Sequence, residues 1–418
     1  MGQTTFVKPL SATRAAKAKG AGLSRVDLLM ILIVICLLAI GLLAVYSSSW
    51  VYSVVNSKTD SPHAVVGRQM LWVAVGLVIA AIVTVIDYHE IARWAVIMMG
   101  GTLIMLFLVV LFRGNTGGGL GRNLIGTSVQ PSELAKLVII IYLAVWLTAK
   151  QDVIDQFTIG LVPVVMIMGI TAGLIIIQPD ISAALTIFIL GGLLFFFAGG
   201  KVRQILALIV LAGLVGWLVI IVSGKMERIT HFIAGLQDLN SASYHVKRST
   251  QAIIRGGLFG VGIGKSVTKF TGLPVPWTDS IFSVIAEETG LLGASVVVSL
   301  YLILLWRGME IARRAPDMLG KLLASGMTIW IIVEALVNIS VLVNLLPFAG
   351  NALPFISLGG SSMVTSMIAI GIILNVSRTA EKGKAVPVER TYSATSDLRR
   401  RNGRRSVSRN SHSAGTQA

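Results

Sequence analysis

The sequence predicts an all-α, polytopic integral membrane protein with about ten transmembrane helices. Of the 418 residues, 55% are hydrophobic and 13% are charged. The mean hydropathy is +0.82, which leaves too few polar side chains to cover a water-soluble surface. Several apolar stretches approach the ~20 residues that cross ~30 Å of hydrocarbon. No alternation with a period of two residues suggests a barrel, so helices are the expected spanning element.

Ten apolar runs are separated by polar, Gly or Pro residues, and each predicts one span. In chain order they are Leu28 to Tyr46, Met70 to Ile86, Trp94 to Phe112, Leu134 to Thr148, Ile159 to Ile177, Ala183 to Ala198, Ile205 to Val222, Ile285 to Leu305, Met327 to Val343 and Met363 to Val376. The first run is longer than the core of a signal peptide and lacks a clear cleavage site, so it is interpreted as an uncleaved span.

The charge of the chain is concentrated at its two ends. Residues 1–26 carry five basic and no acidic residues, and residues 377–418 carry ten basic and three acidic ones. This predicts a basic cytoplasmic tail over residues 1–27, a membrane domain over 28–377 and a basic, disordered cytoplasmic tail over 378–418. Basic tails beside apolar spans favour cytoplasmic anchors at an anionic lipid surface over arms that bind nucleic acid. The single cysteine, Cys36, excludes an internal disulfide.

Four polar segments then fall on the outer, extracytoplasmic side: residues 130–133, 178–180, 223–280 and 346–362. Pro and Gly often punctuate helix ends, which is the alternative explanation for any one of them. Four such segments on one face favour a shared site instead.

Ionisable groups at the membrane edge are costly and therefore indicate function or a structural partner. Glu133 and Lys136 stand three residues apart on one helix face, so they either form a structural ion pair or belong to a site. Asp180 and Asp279 each precede a predicted helix, where each could be an N-cap or a functional carboxylate. Asp279, in a proline-bracketed segment, is the preferred candidate.

Three further features of the outer half and the ninth span carry predictions. Glu287 and Glu288 fall inside an apolar helix, and one of them is expected to face a polar cavity. Glu334 and Asn338, four residues apart, favour contacts between helices over catalysis. The glycine-rich stretch at 256–266 lacks the glycine spacing of a nucleotide-binding loop. Its basic surroundings suit a pyrophosphate group or simply a solvated loop; they are Lys247, Arg248, Arg255, Lys265 and Lys269.

The ordered set of motifs resembles the SEDS family (shape, elongation, division and sporulation), the FtsW and RodA proteins. The set comprises Gln130 to Lys136, Gln178 to Asp180, Gly256 to Gly260, Thr278 to Phe282 with Glu287 to Gly290, and Leu346-Pro347 with Leu353 to Ser362. Departures from the family pattern are His245, Arg248 and Leu358, and Arg122 to Leu124 stand where an Arg-Trp feature is usual.

This resemblance implies a peptidoglycan glycosyltransferase that polymerises lipid II on the outer face of the membrane and releases undecaprenyl pyrophosphate. It implies that Asp279 is catalytic and that Glu133, Lys136 and Asp180 line a central cavity, with Ser361 and Ser362 in the last motif. A divalent cation, Mg or Mn, is a possible cofactor at Asp279. Implied partners are a class B penicillin-binding transpeptidase and other division or elongation proteins.

Other functions remain open at this point. A flippase or transporter of a lipid-linked sugar would also use charges inside the membrane, although its polar groups should extend over the full membrane depth. A non-catalytic scaffold for cell-wall enzymes would not need Asp279. Within the family, a division role of the FtsW type is preferred over an elongation role of the RodA type.

Overall fold

A computed structural model describes residues 27–56, 64–112, 130–222 and 226–384, and it is helical throughout these ranges apart from turns and loops. The α-helices are α1 (Leu28–Asn56), α2 (Ala64–Val85), α3 (Tyr88–Arg93), α4 (Ala95–Phe112), α5 (Pro131–Ala149), α6 (Val162–Ile177), α7 (Ile181–Phe197), α8 (Val202–Val222), α9 (Met226–Gln237), α10 (Tyr244–Gly256), α11 (Ile281–Arg313), α12 (Met318–Leu342) and α13 (Gly360–Lys384).

Nine helical segments within the described ranges are long and apolar enough to cross a membrane: α1, α2, α4, α5, α8, α11, α12, α13 and the segment Phe157–Ile177 that contains α6. The remaining predicted span, the sixth in chain order, corresponds to the shorter apolar helix α7 (Ile181–Phe197). The all-α, multi-pass membrane fold is therefore confirmed. Both predicted tails lie outside the described residues, except for Asp27 and the end of α13.

Two helices extend past the ends of the predicted spans. α1 continues to Asn56 instead of ending at Tyr46, and in this extension Ser48 Oγ donates to the Val45 carbonyl (3.2 Å). α13 reaches Lys384, past the predicted domain end at residue 377. The long segment before α11 contains the helices α9 and α10, which hydropathy does not reveal because both are amphipathic.

Glycines bring the helices around the centre of the bundle into close contact. A Cβ atom on Gly76 of α2 would lie 2.8 Å from Met367 Cγ of α13, and one on Gly371 of α13 would lie 2.8 Å from the Ala80 carbonyl oxygen of α2. Small residues allow such close packing between membrane helices. α5, α12 and α13 are the most buried spans and α8 is the most exposed, so the helices that begin or end near residues 130, 343 and 360 form the centre of the protein.

One ion pair shows which helix ends lie on the same side of the membrane. Asp27, just before α1, accepts a hydrogen bond from Arg307 Nε near the end of α11 (2.7 Å). The start of α1 and the end of α11 therefore lie on the same side of the membrane. Asp279 precedes the start of α11 and lies towards the opposite side.

Candidate active site

A polar cavity of about 210 Å³ lies where the ends of α5, α7, α11, α12 and α13 meet. All four predicted segments contribute to it, which confirms that they converge. Its lining comprises Gln130, Glu133, Lys136, Asp180, Ser182, Ala183, Thr278, Asp279, Gly350, Asn351, Ala352, Leu358, Gly359, Gly360, Ser361 and Ser362. Thus six predicted site residues share one cavity: Asp279, Glu133, Lys136, Asp180, Ser361 and Ser362.

Asp180 both caps a helix and lines the cavity. Its Oδ1 accepts a hydrogen bond from the Ala183 backbone N–H (3.3 Å) at the start of α7. Its Oδ2 accepts hydrogen bonds from Gln130 Nε2 (2.8 Å) and Ser132 Oγ (3.1 Å) at the start of α5. The predicted N-cap is therefore present, and the same carboxylate also joins α5 to α7 at the cavity wall.

A buried ion triplet joins α5 to α12 beside the cavity. Lys136 Nζ lies 2.9 Å from Glu133 Oε1 and 2.6 Å from Glu334 Oε1. The Asn351 side-chain amide donates to Glu334 Oε2 at 3.0 Å. The predicted Glu133–Lys136 pair is present, and Glu334 makes the contact between helices that its position in the ninth span favours.

The segment that carries Asp279 is held by its backbone. Asn338 Nδ2 donates to the Asp279 carbonyl at 2.9 Å, and Ser357 Oγ donates to the Thr278 carbonyl at 2.7 Å. Ser280 is the residue that immediately precedes α11, and its side chain makes no capping hydrogen bond. Gly350 lies against the carboxylate, since a Cβ atom there would be 2.9 Å from Asp279 Oδ2.

Ser361 and Ser362 bring the start of α13 to the same cavity. Ser361 Oγ accepts a hydrogen bond from the Gln130 backbone N–H (3.3 Å), which fixes α13 against α5. Both serines line the cavity within reach of a polar ligand.

Glu287 and Glu288, one of which is expected from the sequence to face a polar cavity, lie outside the lining of this cavity. Glu287 is fully buried and accepts hydrogen bonds from Ser266 Oγ (2.5 Å) and from Thr268 Oγ1 (3.0 Å). Glu288 pairs with Lys269 Nζ at 2.7 Å. Both carboxylates instead hold the glycine-rich loop against α11, because that loop supplies the donors that compensate their burial.

The basic residues in and beside that loop also lie outside the lining of this cavity. Arg248 Nη1 donates to Gln251 Oε1 (3.4 Å) on its own helix and lies over the Tyr244 ring. Lys247 is on the same helix, and Lys265 is exposed on the loop. Among the described lining residues, the cation is Lys136, and the acids are Glu133, Asp180 and Asp279.

Sequence reasoning assigned no individual role to several lining residues. Gln130 was part of a motif, but its bond to Asp180 spans two helices. Gly350 and Asn351 fall between two prolines in an irregular segment. A glycine followed by an amide residue between two prolines could have drawn attention to this segment. The pattern does not reveal which side chains Gly350 and Asn351 contact.

His245 contacts Ser280, the residue that follows Asp279. Ser280 Oγ donates to the Pro274 carbonyl (2.8 Å) and lies 3.0 Å from His245 Nε2. A serine hydroxyl has one proton, so Nε2 of the neutral imidazole is the donor in the second contact. Burial lowers the pKa of His245 to about 4.

Acidification should therefore destabilise the protein through His245. Its pKa in the folded chain is below the ordinary 6.5, so the unfolded chain binds the proton first and stability falls as the pH drops from about 6.5 to about 4. Relative to His245→Gln, which cannot titrate, the wild-type free energy of unfolding should fall by up to about 3 kcal/mol over this range. SDS titrations at several pH values measure it, and parallel curves for the two proteins would contradict the prediction.

A protein-family profile described as "Cell cycle protein" (FtsW, RodA and SpoVE) matches residues 27–382. The chain belongs to this FtsW/RodA/SpoVE family. The match covers every described helix except the last residues of α13. The fold and the motif set predicted from sequence are thus those of one family.

Curated FtsW/RodA/SpoVE proteins align over nearly their full lengths. A probable peptidoglycan glycosyltransferase FtsW from Geobacter sp. (strain M18) is 37% identical over 364 residues, covering 86% of this chain and 98% of the relative. Stage V sporulation protein E from Bacillus subtilis (strain 168) is 36% identical over 361 residues, covering 84% and 97%.

Solved structures share the fold. RodA from Thermus thermophilus superimposes with a TM-score of 0.62 at 23% identity, covering 86% of this chain and 98% of RodA. A chain from a peptidoglycan synthase complex, described as coordinating polymerization and crosslinking, gives a TM-score of 0.69 at 22% identity, with coverages of 86% and 99%.

Proposed function

We propose that this protein is a peptidoglycan glycosyltransferase that polymerises lipid II into glycan strands during cell division. The observation that carries the proposal is the position of Asp279, whose carboxylate lines a polar cavity at one end of the membrane bundle. The relatives named peptidoglycan glycosyltransferase FtsW support the reaction class and the division role.

The reaction needs one base and one departing diphosphate. Asp279 accepts the proton of the acceptor 4-hydroxyl as that oxygen forms a bond to the anomeric carbon of the donor. The bond from that carbon to the pyrophosphate oxygen breaks, its electron pair leaves with undecaprenyl pyrophosphate, and the single displacement inverts the carbon. Lys136 contributes positive charge at the cavity wall, while Glu133 and Glu334 hold its ammonium in place.

A divalent cation fits this donor set in one way. Within the described ranges no group of three His, Cys, Asp or Glu side chains could hold a metal ion. Mg²⁺ nevertheless binds commonly through one or two carboxylates together with water and substrate phosphates. Asp279 would hold it beside the diphosphate, where the ion would offset the charge of the leaving group.

The membrane orientation follows from charge. We place both termini on the cytoplasmic side of a bacterial inner membrane. Lys201, Arg203 and Arg307 lie on loops or helix ends at the same side as the basic tails, which is the pattern expected for the cytoplasmic side. The cavity then opens to the outer face. The solved synthase complex couples polymerization to crosslinking, which supports a class B penicillin-binding transpeptidase as partner.

Reconstitution tests this function directly. Purified protein in proteoliposomes, with fluorescent lipid II and the partner transpeptidase, should yield glycan strands resolvable by gel electrophoresis. Movement of lipid II between leaflets without polymer would support a flippase instead. Absence of both activities, with intact binding of the partner, would support a scaffold.

Gly350→Ala should reduce strand formation by about 100-fold, because displacement of a reacting group by about 1 Å can cost that much. The new Cβ would lie 2.9 Å from Asp279 Oδ2, so the carboxylate must shift. The control is Gly169→Ala on α6, outside the cavity lining, where a Cβ atom would meet nothing within 4 Å. Initial rates of the two variants in the strand assay make the comparison, and equal rates would exclude a role for this contact.

A further inference from the structure

The glycine-rich loop at residues 257–264 is attached to α11 through its backbone. Four hydrogen bonds join them: Val261 N to the Glu287 carbonyl (3.0 Å), Gly262 N to the Glu288 carbonyl (3.0 Å), Leu291 N to the Gly257 carbonyl (2.9 Å) and Leu292 N to the Leu258 carbonyl (3.3 Å). They flank Gly290, where α11 leaves helical geometry (φ 69°, ψ −169°). The loop therefore occupies a fixed height along α11.

Two glycines make this attachment possible. A Cβ on Gly260 would lie 2.2 Å from the Glu288 carbonyl oxygen, and one on Gly290 would lie 2.4 Å from the Gly260 nitrogen. Both residues also have positive φ, which favours glycine. The buried carboxylates Glu287 and Glu288 add side-chain bonds to the next part of the loop. The loop is thus held rigidly.

The exposure pattern of α11 shows where its membrane-facing part begins. Residues 281–288 are all buried within the protein. From Leu291 onward, large apolar side chains are exposed: Leu291, Leu292, Val296, Leu302, Ile303 and Trp306. At 1.5 Å per residue, the distance from Leu291 to Trp306 is roughly 23 Å, which accounts for most of the ~30 Å of hydrocarbon. Leu291 therefore lies near the hydrocarbon boundary on the cavity side.

Contacts of α1 independently indicate the same position of the loop along the membrane normal. Ser47 Oγ donates to Glu288 Oε1 at 2.5 Å, so this turn of α1 is level with the loop attachment. Its neighbours Tyr46 and Trp50 are exposed and form an edge contact, with ring centroids 5.6 Å apart. Exposed Tyr and Trp are enriched at the membrane–water interface.

At this height the loop presents an apolar tip. Leu258, Phe259 and Ile263 are 61%, 79% and 72% exposed. We propose that this tip inserts into the leaflet on the cavity side, at the boundary between acyl chains and head groups, as a built-in membrane anchor. Lys265 stands exposed beside it, in a position to keep its ammonium among the head groups. The anchor would hold the outer loop, and the Asp279 segment that follows it, at a fixed depth.

Lipid is the occupant that these observations favour. The tip continues the exposed apolar surface of α11 at Leu291 and Leu292, to which it is directly bonded. Large apolar side chains on a rigid loop at an interface gain most by entering the acyl region. This inference requires only that the chain spans the membrane and is independent of the proposed reaction.

Spin labels on the full chain in lipid nanodiscs test the insertion. On a Cys36→Ala background, which removes the native cysteine, labels are placed with Phe259→Cys or Ile263→Cys. References are Leu302→Cys on the exposed face of α11 and Asn240→Cys on the exposed loop after α9. Power saturation measures collisions with oxygen, which partitions into lipid, and with a water-soluble nickel chelate.

The ratio of oxygen to nickel collisions at both tip positions should be several-fold higher than at Asn240 and lower than at Leu302, which lies about 16 Å deeper along α11. A ratio equal to that at Asn240 would place the tip in water and overturn the proposal. Weak collisions with both reagents would mean that protein covers the tip, which would also overturn it. Two tip positions keep the test decisive if one variant fails to fold.

Discussion

Asp279→Asn should reduce glycan-strand formation by about 100- to 10,000-fold, the usual contribution of a general base. Asparagine keeps the size of the side chain and cannot accept the proton of the acceptor hydroxyl. The backbone of the segment should stay in place, because Asn338 and Ser357 hold it through the carbonyls of Asp279 and Thr278. Initial rates in proteoliposomes with fluorescent lipid II measure the effect.

The matched control for this variant is Asp238→Asn. Asp238 is an exposed acid in the loop before α10, and it accepts a hydrogen bond from the Asn240 backbone N–H (3.0 Å). Asparagine can also accept that bond, so strand formation should stay near the wild-type rate. Equal rates for Asp279→Asn and Asp238→Asn would refute the assignment of the base, while the glycosyltransferase function itself would be judged from the wild-type activity.

Lys136→Met should destabilise the protein by about 3 to 5 kcal/mol, the usual cost of removing one member of a buried ion pair. The methionine would leave Glu133 and Glu334 facing each other without the ammonium that lies 2.9 and 2.6 Å from them. Lys136 and Glu334 are nearly fully buried and Glu133 is only 15% exposed at the cavity, so water can replace little of the lost charge. SDS titration in mixed micelles measures the free energy of unfolding.

The control is Lys201→Met at an exposed pair. Lys201 Nζ lies 3.2 Å from Asp155 Oδ2, with both side chains more than half exposed, so its loss should cost less than about 1 kcal/mol. Adding Glu334→Gln to Lys136→Met should recover part of the stability, since one unpaired carboxylate is removed. Equal losses at Lys136 and Lys201, or no recovery in the double variant, would contradict the buried triplet.

Local patterns predicted the parts of the fold and site that depend on neighbouring residues. Hydropathy predicted all ten spans, because an apolar run long enough to cross the bilayer needs no other information. The same is true of the Glu133–Lys136 pair, whose three-residue spacing places both groups on one helix face. The family resemblance of the ordered motifs implied that Asp279 is catalytic and that Asp180, Ser361 and Ser362 belong to the same site.

Contacts between distant residues were not predictable in this way. Lys136 and Glu334 are 198 residues apart, and nothing in either helix indicates that they pair. The orientation of Glu287 and Glu288 towards the glycine-rich loop depends on donors in that loop, so it could not be predicted from the helix alone.

Hydropathy predicted a ten-span helical membrane protein because it is a property of contiguous segments, and the ordered motifs indicated the family and the candidate base. Which charges meet depended on packing between distant segments, as in the Lys136 triplet, the contact of Gly350 with Asp279 and the attachment of the loop at Gly290. These contacts arise only when packing brings separate segments together. A buried charge is then stable only if a hydrogen-bonding or oppositely charged group lies next to it.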